Sequence, residues 1–257
     1  MKLKVDINCD LGESYGQFKI GYDEEVMPHI TSANVACGFH AGDPTVMKHS
    51  VELARRHKVA VGAHPGFPDL MGFGRREMNL SPEEIRSYII YQTGALQAFA
   101  KTSGIKLQHI KPHGALYNMA MKDPGLAKAI VEGVVAFDPD LIVFAQAKSE
   151  MAKAASKAGL RVAHEVFSDR AYNRDGSLVS RTGSGAVIED PRIVTKRAVE
   201  MVKNKRVVAV DGKVADLGEV HTICVHGDNL KAVALVKALR KGLEEEGISI
   251  VSVGNLV

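Results

Sequence analysis

Short strand-like and helix-like segments alternate along the whole chain, and no other feature of the sequence restricts the fold as much. The strand-like segments are rich in Val, Ile, Leu and Ala, a composition typical of strands that are covered on both faces. Strands that alternate with helices predict a parallel sheet built from β–α–β units. The predicted strands span residues 3–9, 33–37, 59–63, 108–111, 141–145, 161–166, 222–225 and 248–253.

Four predicted helices begin with the same pair of residues, a capping side chain followed by proline. The oxygen of the cap accepts a backbone N–H that the first turn leaves unbonded, and proline has no N–H to lose there. Ser81 is also followed by Glu84 at the spacing of a capping box. A further helix is predicted over residues 230–243. The four pairs are Asp43-Pro44, Ser81-Pro82, Asp123-Pro124 and Asp190-Pro191.

About eight such units predict a closed (β/α) barrel of the TIM type, and an open doubly wound sheet is the alternative. No linker, repeat or low-complexity stretch divides residues 1–257, so we expect a single domain. Two segments interrupt the alternation. Residues 168–189 form a long polar loop, and residues 207–214 are predicted to form a hairpin around Asp211-Gly212.

Composition and charge exclude several classes of protein. The net charge of +3 is small, and basic residues are mixed with acids, which gives no tract for nucleic acid or anionic membrane. No apolar run approaches the roughly 20 residues of a membrane span, and no signal peptide is recognisable. Cys9, Cys37 and Cys224 lack a C-x-x-C spacing and read as small buried hydrophobes, which favours a reducing cytoplasm.

Polar and ionisable residues follow six of the predicted strands. In α/β folds the carboxyl ends of parallel strands meet at one rim, where the active site lies. The first strand also alternates Val5, Ile7 and Cys9 with Asp6, Asn8 and Asp10. We therefore expect the polar set to rise through the barrel lumen, with Asp10 at the rim and Asp6 deeper, orienting its neighbours. The six segments are NCDLGE, ACGFHAGD, GAHPGF, KPHGALYN, HEVFSDR and VHGDN.

The histidines divide into two groups by their position. His40, His64, His113 and His226 fall at the predicted rim, where four together favour a functional site over hydrogen-bonded loop residues. The others lie on helices, at strand starts or within strands, and are predicted to be structural or solvated. These are His29, His49, His57, His109, His164 and His221.

Lys111 stands at the end of an interior strand, where a lysine is costly unless it pairs with an acid or an anionic ligand. It either forms a structural ion pair with Asp10 or Glu165, or it neutralises an oxyanion or a phosphate. Glu165 and Asp169 flank the sixth strand end as candidate acid or base groups. Arg170 and Arg181 in the long loop either clamp a carboxylate or phosphate, or are surface residues.

Known nucleotide and hydrolase motifs are absent from the sequence. There is no P-loop, no G-x-G-x-x-G, no H-E-x-x-H and no G-x-S-x-G. Residues 182–185, Thr-Gly-Ser-Gly, are a weak signal for a loop that binds phosphate through backbone N–H groups. A flexible loop is the better interpretation.

Five of the strand-end motifs resemble the LamB/YcsF family over essentially the whole chain: DINCDLGE, SANVACGFHAGDP, GAHPGFPD, KPHGALYN and EVFSDRAY. The resemblance implies a (β/α) barrel distantly similar to polysaccharide deacetylases. It also implies ATP-dependent opening of 5-oxoproline (pyroglutamate) to L-glutamate. In that family the chain is an A subunit that acts with two further subunits, B and C. ATP is then handled largely by those partners or by an unfamiliar site in this chain.

This chemistry assigns candidate roles to the residues of the rim. The lactam is an unstrained amide, so phosphorylation of its oxygen would make the carbon electrophilic, and a base would activate water. The candidate catalytic residues are Asp10, His64, Lys111, His113 and Glu165. The candidate substrate-binding residues are Asn8, Asn34, His40, Arg170, Arg181 and His226.

A divalent metal is a further expectation that comes from the resemblance. The deacetylase-like relatives bind one through an aspartate after the first strand and two histidines, so the candidate ligands here are Asp10, His40 and His64. The candidate ligands His40 and His64 do not stand at the H-x-x-x-H spacing of those deacetylases. Two other functions stay open: a stand-alone metal-dependent amidase or deacetylase, and a non-catalytic subunit that presents substrate to its partners.

Overall fold

A computed structural model describes residues 3–181, 183–227 and 231–257. Among these residues seven parallel strands close a barrel, in the order β1-β2-β3-β4-β5-β6-β9, with β9 pairing back onto β1. The strands are β1 Lys4–Leu11, β2 Ser32–Ala36, β3 Ala60–His64, β4 His109–Ile110, β5 Ile142–Ala145, β6 Val162–Phe167, β7 Arg206–Val208, β8 Val214–Asp216, β9 Thr222–His226 and β10 Ser249–Ile250.

Helices cover the outside of the barrel, and the four predicted cap-proline pairs each begin one. Asp43 accepts hydrogen bonds from the backbone N–H groups of Thr45 and Val46, and Ser81 forms the full capping box with Glu84. The helices are α1 Asp23–Val26, α2 Pro44–His57, α3 Pro82–Thr102, α4 Gly114–Ala120, α5 Pro124–Phe137, α6 Glu150–Lys157, α7 Pro191–Asn204 and α8 Ala232–Glu245, with 3-10 turns at Met27–His29 and Val253–Asn255.

The closed barrel is confirmed, but the eighth predicted strand does not enter it. Within residues 248–253 only β10 is extended, and it pairs with Lys4 and Val5 at the start of β1. From Asp6 to Asp10 that edge of β1 is occupied by β9. The ring is therefore complete without β10.

The two predicted interruptions have different outcomes. The hairpin is confirmed, because β7 and β8 pair antiparallel around a turn in which Gly212 has φ of +78°. The loop 168–189 folds back on itself, with an isolated bridge between Arg170 and Val187. Thr182 of the predicted phosphate loop and residues 228–230, with the predicted start of the last helix, lie outside the described residues.

Both faces of the first strand are buried, one in the apolar core and the other in the polar interior of the barrel. Val5, Ile7 and Cys9 belong to the apolar core, while Asp6 and Asn8 are equally buried in a polar lumen. The polar face of the first strand is therefore inside the barrel, as the sequence predicts. None of the helices in the described part of the chain is both long and apolar enough to cross a membrane.

Candidate functional site

A cavity of about 760 Å³ opens at the carboxyl ends of the barrel strands. Active sites of (β/α) barrels lie at this end, and the volume is within the usual range for small-molecule sites. Asp10 and Lys111 lie at its floor, and residues 112–123 and 177–181 supply much of its wall. The strand ends that the sequence singled out therefore meet at one concave site.

Most of the predicted site residues line this cavity, and the rest are buried behind its surface. The lining includes Asp10, His64, Lys111, His113, Arg170, Arg181 and His226. Among the described residues, the predicted ones buried outside the lining are Asn8, Asn34, His40 and Glu165. Direct substrate contact by Asn8, Asn34 and His40 stays a prediction, and the bonds of the two asparagines described below point to positioning roles.

The floor of the cavity is built around the Lys111 ammonium. Its Nζ lies 2.9 Å from Asp10 Oδ1, 2.8 Å from Glu165 Oε1 and 3.1 Å from Cys224 Sγ. Burial alone would lower the pKa of Lys111, but the two acids outweigh it and hold that pKa well above its ordinary value. The ammonium is therefore neutralised by protein groups before any ligand arrives.

Asp10 is held in its ionised form by several donors. Its Oδ1 accepts hydrogen bonds from Lys111 Nζ and, at 2.8 Å, from Asn34 Nδ2. His64 Nε2 lies 3.5 Å from the same oxygen. Burial disfavours the charge, yet His64 and Lys111 hold the pKa of Asp10 well below its usual range. A carboxylate with so low a pKa is a weak base near neutral pH.

Two amides connect this floor to the depth of the lumen. Asn8 Oδ1 accepts from Asn34 Nδ2 at 2.8 Å and from Lys111 Nζ at 3.3 Å. Asn8 Nδ2 donates to Thr222 Oγ1 at 2.7 Å, and Thr222 in turn donates to Asp6. Each bond has a fixed direction, so the chain of bonds orients the amide that faces Lys111.

Asp6 lies at the inner end of that chain and never reaches the cavity. It accepts hydrogen bonds from the hydroxyls of Thr31 and Ser32 at 2.7 Å, and from Thr222. Burial raises its pKa to about 6, although the three hydroxyls oppose that rise. Its contacts are those of a positioning residue, which agrees with the prediction from the sequence.

His109 is a structural residue of the lumen. Its Nε2 donates to Asn34 Oδ1 at 2.8 Å, and its ring stacks on Phe144 with 4.3 Å between centroids. Gly62 on the neighbouring strand leaves the necessary room, because a Cβ there would lie 2.1 Å from the His109 ring. Burial lowers the pKa of His109 to about 3.

Replacing His109 should therefore make the protein less sensitive to acid. Between pH 6.5 and about 3 the unfolded chain binds a proton at His109 that the folded protein excludes, so the free energy of unfolding falls with falling pH. This contributes up to about 1.4 kcal/mol per pH unit. His109→Gln keeps a donor for Asn34 but should remove that contribution, as urea titrations at pH 6.0 and 4.5 would show.

The control is His57→Gln, which replaces an exposed histidine at the end of α2 and should keep the wild-type slope. Parallel pH slopes for wild type and His109→Gln would contradict the prediction.

Three of the predicted rim histidines form a buried cluster with Glu13. His113 Nδ1 lies 2.9 Å from His64 Nε2 and 3.5 Å from Glu13 Oε1, and His40 Nε2 lies 3.4 Å from Glu13 Oε1. The rings of His40 and His113 stack at 3.7 Å. Burial lowers the pKa of His64 to about 4 and those of His40 and His113 well below their ordinary value. These rings are neutral at pH 7.

His226 and Asp169 form a separate pair at the cavity. His226 Nδ1 donates to Asp169 Oδ2 at 2.9 Å, and the imidazole lines the cavity. Asp169 is buried, which opposes its charge, but His226 and the nearby arginines lower its pKa. An imidazole held this way has a defined tautomer, with Nε2 as its proton acceptor.

The two arginines of the long loop are not equivalent. Arg170 is buried and donates from Nη2 to the carbonyl of Val179 at 2.6 Å and from Nε to that of Ala186 at 3.3 Å. Burial lowers its pKa to about 10. The surface alternative is therefore wrong for Arg170, whose guanidinium braces the loop. Arg181 lines the cavity wall, together with Arg75.

Sequence reasoning missed roles for Glu13 and Tyr117, although both stand in motifs that it singled out. Tyr117 is buried on α4 and lines the cavity. Burial and the Glu165 carboxylate raise the pKa of its hydroxyl well above the ordinary value. Glu13 follows the first strand at the rim, and that position was the one feature of the sequence that could have indicated its place in the site.

Known proteins resemble this chain over its full length. The model of the LamB/YcsF family matches residues 5–257. A protein named as the A subunit of 5-oxoprolinase, from Pyrococcus horikoshii, is 59% identical over 249 residues, covering 97% of each chain.

Two solved structures share the architecture. The lactam utilization protein from Thermus thermophilus has a TM-score of 0.92 and 48% identity, covering 97% of this chain and 100% of that one. The catalytic domain of a peptidoglycan N-acetylglucosamine deacetylase from Eubacterium rectale has a TM-score of 0.54 at 10% identity, covering 98% and 89%. The second likeness shows the fold alone, a barrel of the deacetylase type.

Proposed function

Because this chain belongs to the LamB/YcsF family, we propose that it is the A subunit of an ATP-dependent 5-oxoprolinase, which opens 5-oxoproline to L-glutamate. The observation that carries the proposal is the full-length match to a protein named as the A subunit of 5-oxoprolinase. The designation of that relative as a subunit supports partner chains, which we propose to be of the B and C types.

The reaction needs activation of an unstrained amide. Transfer of the γ-phosphoryl group of ATP to the lactam oxygen gives ADP and an electrophilic ring carbon. Water adds to that carbon and loses a proton, the C–N bond breaks as the nitrogen gains a proton, and an acyl phosphate is left. A second water then releases phosphate and L-glutamate. The protein must therefore move protons and hold two anions, the phosphoryl group and the substrate carboxylate.

The His226–Asp169 pair is the best placed group for the proton transfers. The imidazole reaches the cavity, and its Nδ1–H is committed to a buried carboxylate, so Nε2 takes the proton of water and can return it to the ring nitrogen. Asp10, one of the candidate catalytic residues, has too low a pKa for that task. Asp10 instead supplies negative charge at the floor, beside Lys111.

The charges of the cavity orient the substrate in this proposal. Lys111 already faces Asp10 and Glu165, so the floor attracts the nitrogen end of the lactam, where positive charge develops. Arg75 and Arg181 on the wall offer planar donors for the phosphoryl group and the carboxylate. The proposal therefore assigns the phosphoryl group to the wall and assigns Lys111 the ion pair with Asp10 and Glu165, the other of the two roles that the sequence left open.

ATP is proposed to be handled with the partner chains. The chain alone should release no glutamate from 5-oxoproline, whereas a mixture with the B-type and C-type subunits should do so when ATP is present. An enzymatic glutamate assay of all subunit combinations, with and without ATP, measures this. Failure of the complete mixture would reject the 5-oxoprolinase assignment.

A stand-alone metal-dependent amidase is the second candidate, and the cluster of Glu13, His40, His64 and His113 beside the cavity favours it. If the isolated chain releases glutamate from 5-oxoproline without ATP, and a chelator abolishes that activity, the chain is the metal-dependent amidase. A subunit that only presents substrate would instead leave the activity of the complete mixture unchanged when His226 is replaced.

A further inference from the structure

We propose that Glu13, His40, His64 and His113 form a binding site for a divalent transition metal, which ties together the ends of four successive strands. The four residues follow or end β1, β2, β3 and β4, and all are buried. One ligand atom from each lies within 4.8 Å of the others. The site stands whether or not the proposed lactam chemistry is correct.

The first step of the argument concerns the outer nitrogens of two rings. His64 Nδ1 lies 2.7 Å from the carbonyl oxygen of Lys111, and His113 Nε2 lies 2.8 Å from that of Phe73. A carbonyl oxygen only accepts, so each of these nitrogens carries the ring hydrogen and donates it. Metal-binding histidines are commonly oriented by such a bond.

The second step follows for the inner nitrogens. With the hydrogens placed outside, His64 Nε2 and His113 Nδ1 both present lone pairs, yet they lie 2.9 Å apart. Two facing lone pairs at this distance repel unless a cation lies between or beside them. A proton between them would create a fully buried imidazolium, whose nearest acids are Asp10, 3.5 Å from His64 Nε2, and Glu13, 3.5 Å from His113 Nδ1. A metal ion satisfies both nitrogens without protonating either.

The third step is the spacing of the donors. Two ligands of a tetrahedral zinc ion with bonds of 2.0–2.1 Å lie about 3.3 Å apart. The observed separations lie on either side of that value: 2.9 Å for His64 to His113, 3.4 Å for His40 to Glu13 and 3.5 Å for His113 to Glu13. These three separations are thus close to the spacing of one coordination shell. The His40 and His113 rings lie parallel, 3.7 Å apart between centroids, so one of them has to turn before both bind the same ion.

His40 is packed as a built part of this cluster. Neither of its ring nitrogens makes a hydrogen bond to the described residues, although the ring is fully buried. Gly66 and Gly74 leave the room that it occupies, because a Cβ at either position would lie 2.6 or 2.7 Å from the ring. The buried His40 imidazole makes no such hydrogen bond, yet its Nε2 faces Glu13 Oε1. A metal ion bound by both residues explains this arrangement.

The donor set also selects the class of metal. Three imidazoles and one carboxylate suit zinc, cobalt, nickel, copper or ferrous ions, and not magnesium or calcium. Four protein ligands fill a tetrahedral shell, which is typical of a structural site. His64 and His113 belong to the cavity lining, while Glu13 and His40 do not. The ion would therefore brace the cavity wall.

The test uses the full chain without a histidine tag, stripped with a chelator and titrated with cobalt. Saturation at one equivalent, with the visible absorption of tetrahedral cobalt, is the expected result. Glu13→Gln and His40→Gln should each weaken binding by at least about a hundredfold, since even outer residues cost up to that much. The control is His49→Gln, which breaks a surface His–Glu pair of 3.4 Å and should bind normally.

Several results would overturn the proposal. Absence of saturable binding by the wild-type chain would do so, as would equal losses in the control and the cluster variants. Imidazole nitrogen NMR signals showing a doubly protonated His64 or His113 would mean that a proton, and not a metal ion, lies between His64 Nε2 and His113 Nδ1. If the variants do not fold, the wild type still decides, because zinc must raise its thermal midpoint. None of these readouts depends on 5-oxoproline turnover.

Discussion

Lys111→Met should lower the free energy of unfolding by about 3–5 kcal/mol at pH 7, the cost of breaking a buried ion pair by removing one partner. Lys111 is 2% exposed, and its ammonium is in contact with Asp10 and Glu165. Methionine retains much of the apolar stem, so packing is largely conserved. The variant leaves two buried carboxylates facing each other without a cation.

The pH dependence identifies the cause of that loss. Without Lys111 the effect of burial, which raises the pKa of Asp10, is opposed by one cation fewer, so the loss of stability relative to the wild type should shrink as the pH falls from 7 to 5. Adding Glu165→Gln to the Lys111→Met protein should also restore part of the lost stability. Urea unfolding at both pH values measures each effect.

The matched control is Lys148→Met, the same substitution in an exposed pair with Asp216, which should leave stability almost unchanged. A Lys111→Met protein as stable as the wild type at pH 7 would show that the acids do not depend on the lysine.

Asp169→Asn should lower kcat of the complete subunit mixture by about 10²–10⁴-fold, the range of general acid–base catalysis. The carboxylate fixes His226 with Nδ1 protonated, and an amide neither holds that tautomer nor stabilises the imidazolium formed during proton transfer. KM should change little, because Asp169 lies behind the imidazole. Ring-nitrogen NMR of His226 should show more of the other tautomer in the variant.

Asp175→Asn provides the control for this experiment. It makes the same change on the same loop, at an exposed acid that bonds only to Ser177 among the described residues. Its kcat should match the wild type. If Asp169→Asn is folded and retains kcat within about threefold, the His226–Asp169 pair does not transfer the proton.

The barrel and its active rim could be predicted because both follow from local patterns. Period-two alternation in the first strand places Asp6, Asn8 and Asp10 on one face, and only a buried polar lumen accommodates that face. The rule that parallel strands end at one rim then brought Lys111 and His226 to the same cavity. No long-range information was needed for either step.

The partners of these residues could not be predicted in the same way. Glu13 meets three histidines because four loops of different length converge, and no periodicity encodes their paths. Tyr117 reads as an ordinary core position of a helix, yet its hydroxyl approaches Glu165. β10 carries the same apolar pattern as a barrel strand but pairs with β1 only at Lys4 and Val5, because β9 occupies that edge of β1 from Asp6 onward.

The lumen around Asp6 constrains how this sequence can diverge. Its carboxylate depends on hydroxyls from Thr31, Ser32 and Thr222, which stand far apart in sequence, and Thr222 also supports Asn8. Loss of any one hydroxyl leaves a buried acceptor short of a donor. Loss of Asp6 leaves the hydroxyls of Ser32 and Thr222 without that acceptor, while Thr31 can still donate to the Ile7 carbonyl at 3.2 Å. The effects of such changes do not add. Evolution can therefore replace this lumen only in coordinated sets, through intermediates that carry strong epistasis.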